Sequence, residues 1–164
     1  MSTGLQPRWP DVYTALLGLL PTLPGFTGDP RGTVQVFDGQ FVGNDFPVDY
    51  VTVGFQADDG AGSFVQQPDP SCFATIEVGD IKCLMSSNSG DTDPAVVAAD
   101  RARVFALFTA LQTEITRDQT LRGALTGSNY LVTLSAQIVA LENTQGAASS
   151  LLVSVAYQTT TYFT

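Results

Sequence analysis

Between Asp91 and Arg117 the apolar residues recur at the period of one helical face. Val97, Val104, Phe108, Leu111 and Ile115 follow one another at steps of seven, four, three and four. Phe105 and Leu107 widen the arc, so the spacing predicts a long helix gripped on more than one side. Arg101, Arg103, Gln112, Glu114 and Arg117 interrupt that face or lie off it. Asp91-Thr92-Asp93-Pro94 marks the start, a capping side chain ahead of a proline that suits the first turn. Most of the remaining chain alternates instead, which predicts a sheet for this helix to lie on.

In chain order, Val12, Leu16, Leu19 and Leu20 share a face of a first helix beginning near Trp9-Pro10-Asp11, and Pro21 and Pro24 stop it. Thr33–Phe37 reads as a strand that ends in Asp38-Gly39. Tyr50–Phe55 reads as a second, with Val51, Val53 and Phe55 on its apolar side. Residues 56–71 hold Asp58, Asp59, Gly60, Gly62, Pro68, Asp69 and Pro70 and no usable period. They are expected to form a long loop, either a plain surface excursion or a partner-contacting tip built on Phe64-Val65. Phe73–Val78 and Ile81–Ser87 flank Gly79-Asp80, a two-residue hairpin signal. That register puts Cys72, Ala74, Ile76 and Val78 on one face with Ile81, Cys83 and Met85. Asp118–Ser128, with two glycines and no clear period, is a connector or a short turn of helix. Tyr130, Val132, Leu134, Ala136, Ile138 and Ala140 form one side of a long strand, Asn143–Gly146 turns the chain, and Leu151, Val153, Val155 and Tyr157 repeat the pattern. The fold class expected is α+β: a mainly antiparallel sheet with the long central helix and the N-terminal helix packed on one face. A single domain spans 1–164, with a C-terminal strand and tail over 150–164.

Composition narrows the function by exclusion. The 164 residues are 44% hydrophobic and only 14% charged, against about a quarter charged in an ordinary domain. Such dryness suits a subunit that hides surface in an assembly. The formal net charge is −9 and no basic cluster exists, which argues against gripping phosphates but allows nucleic acid to pass without sticking. No run of about 18 apolar residues predicts a membrane span, and no signal peptide is expected. In the hairpin register the two cysteines, Cys72 and Cys83, sit roughly 13 Å apart at ~3.3 Å per residue. A disulfide needs Cα atoms within about 7 Å. Two free thiols, made in a reducing cytoplasm, are therefore expected. Histidine is absent, which removes the usual general base, the Ser-His and Cys-His pairs and imidazole metal sites. There is no Cys-x-x-Cys, phosphate-binding glycine loop or dinucleotide fingerprint. Asp91 and Asp93 read as helix caps or as a hard-cation pair. No catalytic residue, cofactor or metal is expected.

The order of elements resembles a known family. A helix leads to a strand ending in Asp38-Gly39, then to Tyr50-Val51-Thr52-Val53-Gly54 and an acidic loop. A hairpin, Ser89-Gly90-Asp91 and a helix bearing Arg101 and Arg103 follow, and strands around Asn143-Thr144-Gln145-Gly146-Ala147 close the chain. This looks like the tail terminator proteins of long, non-contractile-tailed bacteriophages, especially those of actinobacterial hosts. The resemblance covers nearly the whole chain and rests on element order and local patterns. It implies a structural virion protein, not an enzyme, made in the bacterial host and placed at the tail–neck junction. Six copies would form a ring that caps the tail tube protein and meets a neck connector protein while DNA passes through. Other readings are another neck connector of the stopper or tail-completion kind, a tail-tube subunit, or a small α+β enzyme or ligand-binding domain.

Within the ring reading, three sets of residues are candidates. Phe64 and Val65 would dock on a neighbouring subunit or ring. Arg101, Arg103 and Arg117 would either be solvated or hold a carboxylate of the next subunit. Asp58, Asp59 and Asp69 would face an acidic or neutral channel. The uncharged end Gln158–Thr164, with Tyr162 and Phe163, is expected to add to a neighbour's sheet, so that deleting Thr159–Thr164 leaves a folded subunit that assembles poorly.

Overall fold

A computed structural model describes residues 6–28, 31–40, 47–125, 129–143 and 146–162. Helix α1 spans Trp9–Leu19 and runs into a 3-10 turn at Leu20–Thr22. Strands β1 (Gln35–Asp38), β2 (Asp49–Val53), β3 (Gly62–Asp69) and β4 (Ala74–Ser87) follow, then helix α2 (Pro94–Arg117), β5 (Asn129–Asn143) and β6 (Gly146–Tyr162). The six strands make one sheet in the order β1-β2-β4-β6-β5, with β3 paired to β4 beside that path. Only β1 and β2 run parallel; every other pair is antiparallel. Strand β4 organises the sheet. One of its edges pairs with β3 over Ala74–Ile81 and with β2 over Cys83–Ser87, while its other edge pairs with β6 along its whole length.

Both helices lie on one face, α1 over β1, β2 and β4, and α2 over β4 and β6. The expected α+β class is the observed one. Between the layers sit Val12, Leu16, Leu19 and Leu20 of α1, Val104, Leu107, Leu111 and Ile115 of α2, and Val51, Val53, Ile81, Cys83, Met85, Leu151, Val153, Val155 and Tyr157 of the sheet. Each such side chain, fully buried, contributes on the order of 1.5–3 kcal/mol relative to exposure. Asp93 caps α2 as expected, accepting from the Ala95 amide at 2.8 Å, and Pro94 occupies the first turn. The buried face of α2 is Asp100, Val104, Leu107, Leu111 and Ile115, a stripe rotated slightly from the expected one. Leu107 is its centre, whereas Phe105 is 42% exposed, so α2 is gripped on one side only.

Three expectations are corrected. Gly79-Asp80 is no turn: β4 runs straight through it. Alternation then continues unbroken, so Glu77 and Gly79 share the inner face with Ile81, Cys83 and Met85, and Val78 lies on the other face at 49% exposure. Gly79 is needed because the ring of Tyr157, its cross-strand partner, lies where a Cβ would be. The true hairpin is β3–β4, with Asp69 Oδ1 accepting from the Ser71 amide and hydroxyl at its turn. Residues 56–71 are accordingly not one long loop, since Gly62–Asp69 is strand β3. It hid from pattern analysis because an exposed edge strand containing Pro68 has no buried face to alternate. Both thiols are free, Cys72 exposed and Cys83 buried.

The third correction concerns the C-terminus. Gln158–Tyr162 does not await a neighbour: it pairs with Val78–Ala74 of β4, and Gln158–Thr160 also pair with β5. Thr159 and Thr160 are buried. Phe163 and Thr164 lie outside the described residues. Removing Thr159–Thr164 therefore takes out part of a central strand. We expect the truncated chain to lose its cooperative thermal transition by circular dichroism; a melt like that of the full chain would overturn this placement.

Candidate functional site

Among the described residues no catalytic constellation assembles, and the buried carboxylates, Glu77, Asp49 and Asp100, fall into two structural clusters. The first centres on Glu77, which is 3% exposed beneath the start of α1. The helix has no side-chain cap of its own, because Arg8 stands at the capping position. Glu77 replaces it from the sheet. Its carboxylate accepts from the Arg8 amide at 2.9 and 3.0 Å and from the Trp9 amide at 3.0 Å. Gln66 Nε2 of β3 donates at 2.8 Å and the Tyr157 hydroxyl of β6 at 2.6 Å. Burial, then the hydrogen bond to Glu77, push the Tyr157 phenol well above its ordinary range. A negative charge at the helix's positive end, with every partner a neutral donor, is a stable arrangement rather than a reactive one.

The second cluster pins the start of α2 to the opposite end of β4. Arg31 Nη2 lies 2.6 Å from Asp100 and 3.1 Å from Ser87 Oγ. The Ser87 hydroxyl donates to Asp49 at 2.7 Å, and Ser89 meets Asp100 through its amide at 3.1 Å and its hydroxyl at 2.9 Å. Arg103 closes the cluster, with Nε 3.1 Å from Asp49 and Nη2 on the Gly25 carbonyl. Burial alone would raise the Asp100 carboxyl, but Ser89 and Arg31 outweigh it and hold the group below its ordinary 3.8.

This geometry sorts the candidate residues. Arg103 is committed inside its own chain. Arg117 pairs with Glu114 at 2.6 Å on its own helix, and Arg101 is exposed with no ion pair among the described residues. Asp58 and Asp59 are exposed on a tight turn between β2 and β3, where the Ala57 and Gly60 backbones bond to each other. Asp59 reaches Lys82 at 3.4 Å. Asp69 is turned onto Ser71, which lowers its pKa. Phe64 and Val65 are 43% and 56% exposed, on opposite faces of β3. Tyr162 is 44% exposed.

The helix-free face of the sheet is the surface that sequence reading missed. Over the half nearest the β3–β4 turn it presents Ser63, Val65 and Gln67 of β3, Val78 of β4, Gln158 of β6, and Leu131, Thr133 and Ser135 of β5, all exposed. Among the described residues there, Asp69, Asp80 and Lys82 are the charged ones. The other half of the same face is buried, with Tyr50, Thr52, Leu84, Ser86 and Ser150 all nearly inaccessible. The signal for this surface was the Ser/Thr/Gln alternation of β5 and β6, read only as the side away from the core. An open groove of about 470 Å³ lies between α1 and the Leu121–Ala124 turn, lined by Arg8, Asp11, Gly18 and Arg122. The described residues contain no metal-binding group of three or more acidic or cysteine side chains, and no helix long and apolar enough to cross a membrane. No family model matches the chain, and no curated protein matches it either.

Glu77→Ala would strand four donors and should cost about 3 kcal/mol or more, with Tyr157→Phe costing about 1–2. Urea unfolding measures both, and a Glu77→Ala loss below about 1 kcal/mol would show the cluster to be incidental. Asp100 gives a pH signature. Its folded pKa lies below the ordinary 3.8, so its stabilisation is complete above about pH 4 and lost as pH falls through the folded value. The melting-temperature gap between wild type and Asp100→Asn should narrow on acidification below that point; a constant gap would contradict the assignment.

Proposed function

We propose that this chain is a structural ring subunit of a phage tail, of the tail terminator type, capping the tail tube and joining it to the neck. The observation that carries the reading is the two-sidedness of the sheet. One face holds both helices and the core. The other, over half its area, is a flat field of Ser, Thr, Gln and Val with few charges. A subunit that stands alone has no use for a broad neutral face, but a passage for DNA needs a wall that neither attracts nor strongly repels phosphates. The net charge of −9 and the internal pairing of Asp59 with Lys82 support the same reading. In it the helices face outward, the open face lines the channel, and the tube protein and neck connector meet the two rims.

Negative-stain imaging and native mass of the purified chain should show a ring of about six copies, and particles lacking the protein should carry uncapped tails. A monomer that binds a small molecule in the α1 groove would favour the ligand-binding alternative. Tight, salt-sensitive binding of free duplex DNA would contradict a neutral channel wall.

A further inference from the structure

We infer that copies of this chain join head to tail through the sheet itself, the free edge of β5 in one copy pairing with the free edge of β1 in the next. The inference rests on the ring reading and names its joint. Strands β1 and β5 end the five-strand path of the sheet, with β3 a further edge beside β4. Strand β5 is 15 residues long, and from Asn129 to Leu141 it carries no charged side chain. Natural edges are usually shortened, charged or covered. This one is neither short nor charged; it is covered at Val132, whose amide donates to Gln119 Oε1 at 2.7 Å, while Leu131 at 56% and Ile138 at 70% leave a side chain open on each face.

Ile138 identifies the partner. It ends an inner-face row that crosses the sheet through Leu151, Met85 and Val51 to Val36. The three middle residues are at most 2% exposed, whereas Ile138 at one end is open and Val36 at the other is half-buried. Helix α1 reaches over β1 but no helix packs extensively on β5. A second copy set beside the first in the same orientation would bring its Val36 next to Ile138 and its α1 over both. Strand directions agree as well. From β1 to β2 the chain is parallel and the next three pairings each reverse it, so β1 of the next copy runs antiparallel to β5. Ala136–Val139 would face Asp38–Gln35, row for row.

Charge favours another copy of this chain on that edge. Two chains of net charge −9 meet without opposing carboxylates only along an uncharged strip. Asp38, the one acid on β1, is 2.6 Å from the Tyr13 hydroxyl of its own chain. The size also closes. A path of five strands at ~4.8 Å gives each copy ~24 Å of sheet, and six copies give a backbone ring roughly 45 Å across, wide enough for a duplex. A head-to-tail contact of this kind is heterologous, the type that gives a ring when the rotation between copies closes.

The test uses the full chain with Cys72→Ser as background, leaving Cys83 buried. With Val36→Cys and Ile138→Cys together, mild oxidation should link copies into a ladder ending at the ring number, and neither single variant should. Ile138→Asp should weaken assembly about tenfold or more in native mass while its circular dichroism stays that of the wild type, since the position is exposed. Dimers from Ile138→Cys alone would mean β5 pairs with itself and would overturn the inference. Wild-type rings whose double variant forms no ladder would overturn the joint and leave the ring reading standing. A wild type that stays monomeric throughout would overturn both.

Discussion

A carboxylate with only neutral donors around it holds this fold together. Glu77 sits near the start of β4, yet its work is done for α1, whose first two amides it receives. Sequence-local capping would have fixed only the helix end. Capping from the sheet fixes the helix end to a register position, because Glu77 moves with β4 and its other donors come from β3 and β6. A slip of one residue in any of those pairings would turn Glu77 to the opposite face, expose a buried helix terminus and strand the Tyr157 hydroxyl. Tyr157 in turn needs Gly79, the residue two places along β4, to leave room for its ring. One buried acid, one phenol and one glycine thus specify how three strands and a helix come together.

That dependence explains what could be read from the sequence. Helix α2 and the β5–β6 pair were legible because each keeps its period over many residues, although β5 buries only part of its apolar side. The short strands β1 and β2 were legible for a different reason, the β-branched Val51 and Val53 that face the core in a strand buried along its whole length. The β4 strand was misread for a physical reason. Gly79-Asp80 between two apolar runs is a sound turn signal in isolation, and only a partner ring two strands further along the chain makes glycine necessary in mid-strand. Glu77 was equally opaque, since a lone glutamate in a strand is ordinarily a solvated residue. The C-terminal segment failed differently. Its Thr-rich composition rightly announced a strand, but composition does not say whether the pairing partner lies in the same chain.

The second polar cluster does for α2 what Glu77 does for α1, with charges of both signs. Asp100 occupies a sheet-facing position in the apolar stripe of α2, and Arg31 and Arg103 reach it and Asp49 from either side. An apolar residue at position 100 would fit the stripe better by period alone. The ion cluster instead fixes the rotation of the helix and its height along β4, through Ser87 and Ser89 at the end of that strand. Both helices are therefore keyed to β4 by buried polar contacts at its two ends, and the apolar layer between them can be generic.

This use of polar groups leaves a particular surface. Of the seven basic residues, Arg8, Arg31, Lys82, Arg103 and Arg117 form ion pairs within the chain, and Arg122 donates to Thr22. Arg101 is left with neither an ion pair nor a hydrogen bond among the described residues. A chain of sixteen acids that spends its cations internally has almost none to offer a copy of itself. Electrostatics then works against self-association at nearly every approach, and an ion-paired subunit interface, with several arginines reaching outward, is not available. In the proposed ring, attraction between copies would come from backbone hydrogen bonds and apolar side chains, in a strip where carboxylates are absent. Strand β5 is the longest uncharged edge of the described surface, and in the proposed ring the stretch that would be a hazard in a solitary protein is the approach on which repulsion is least.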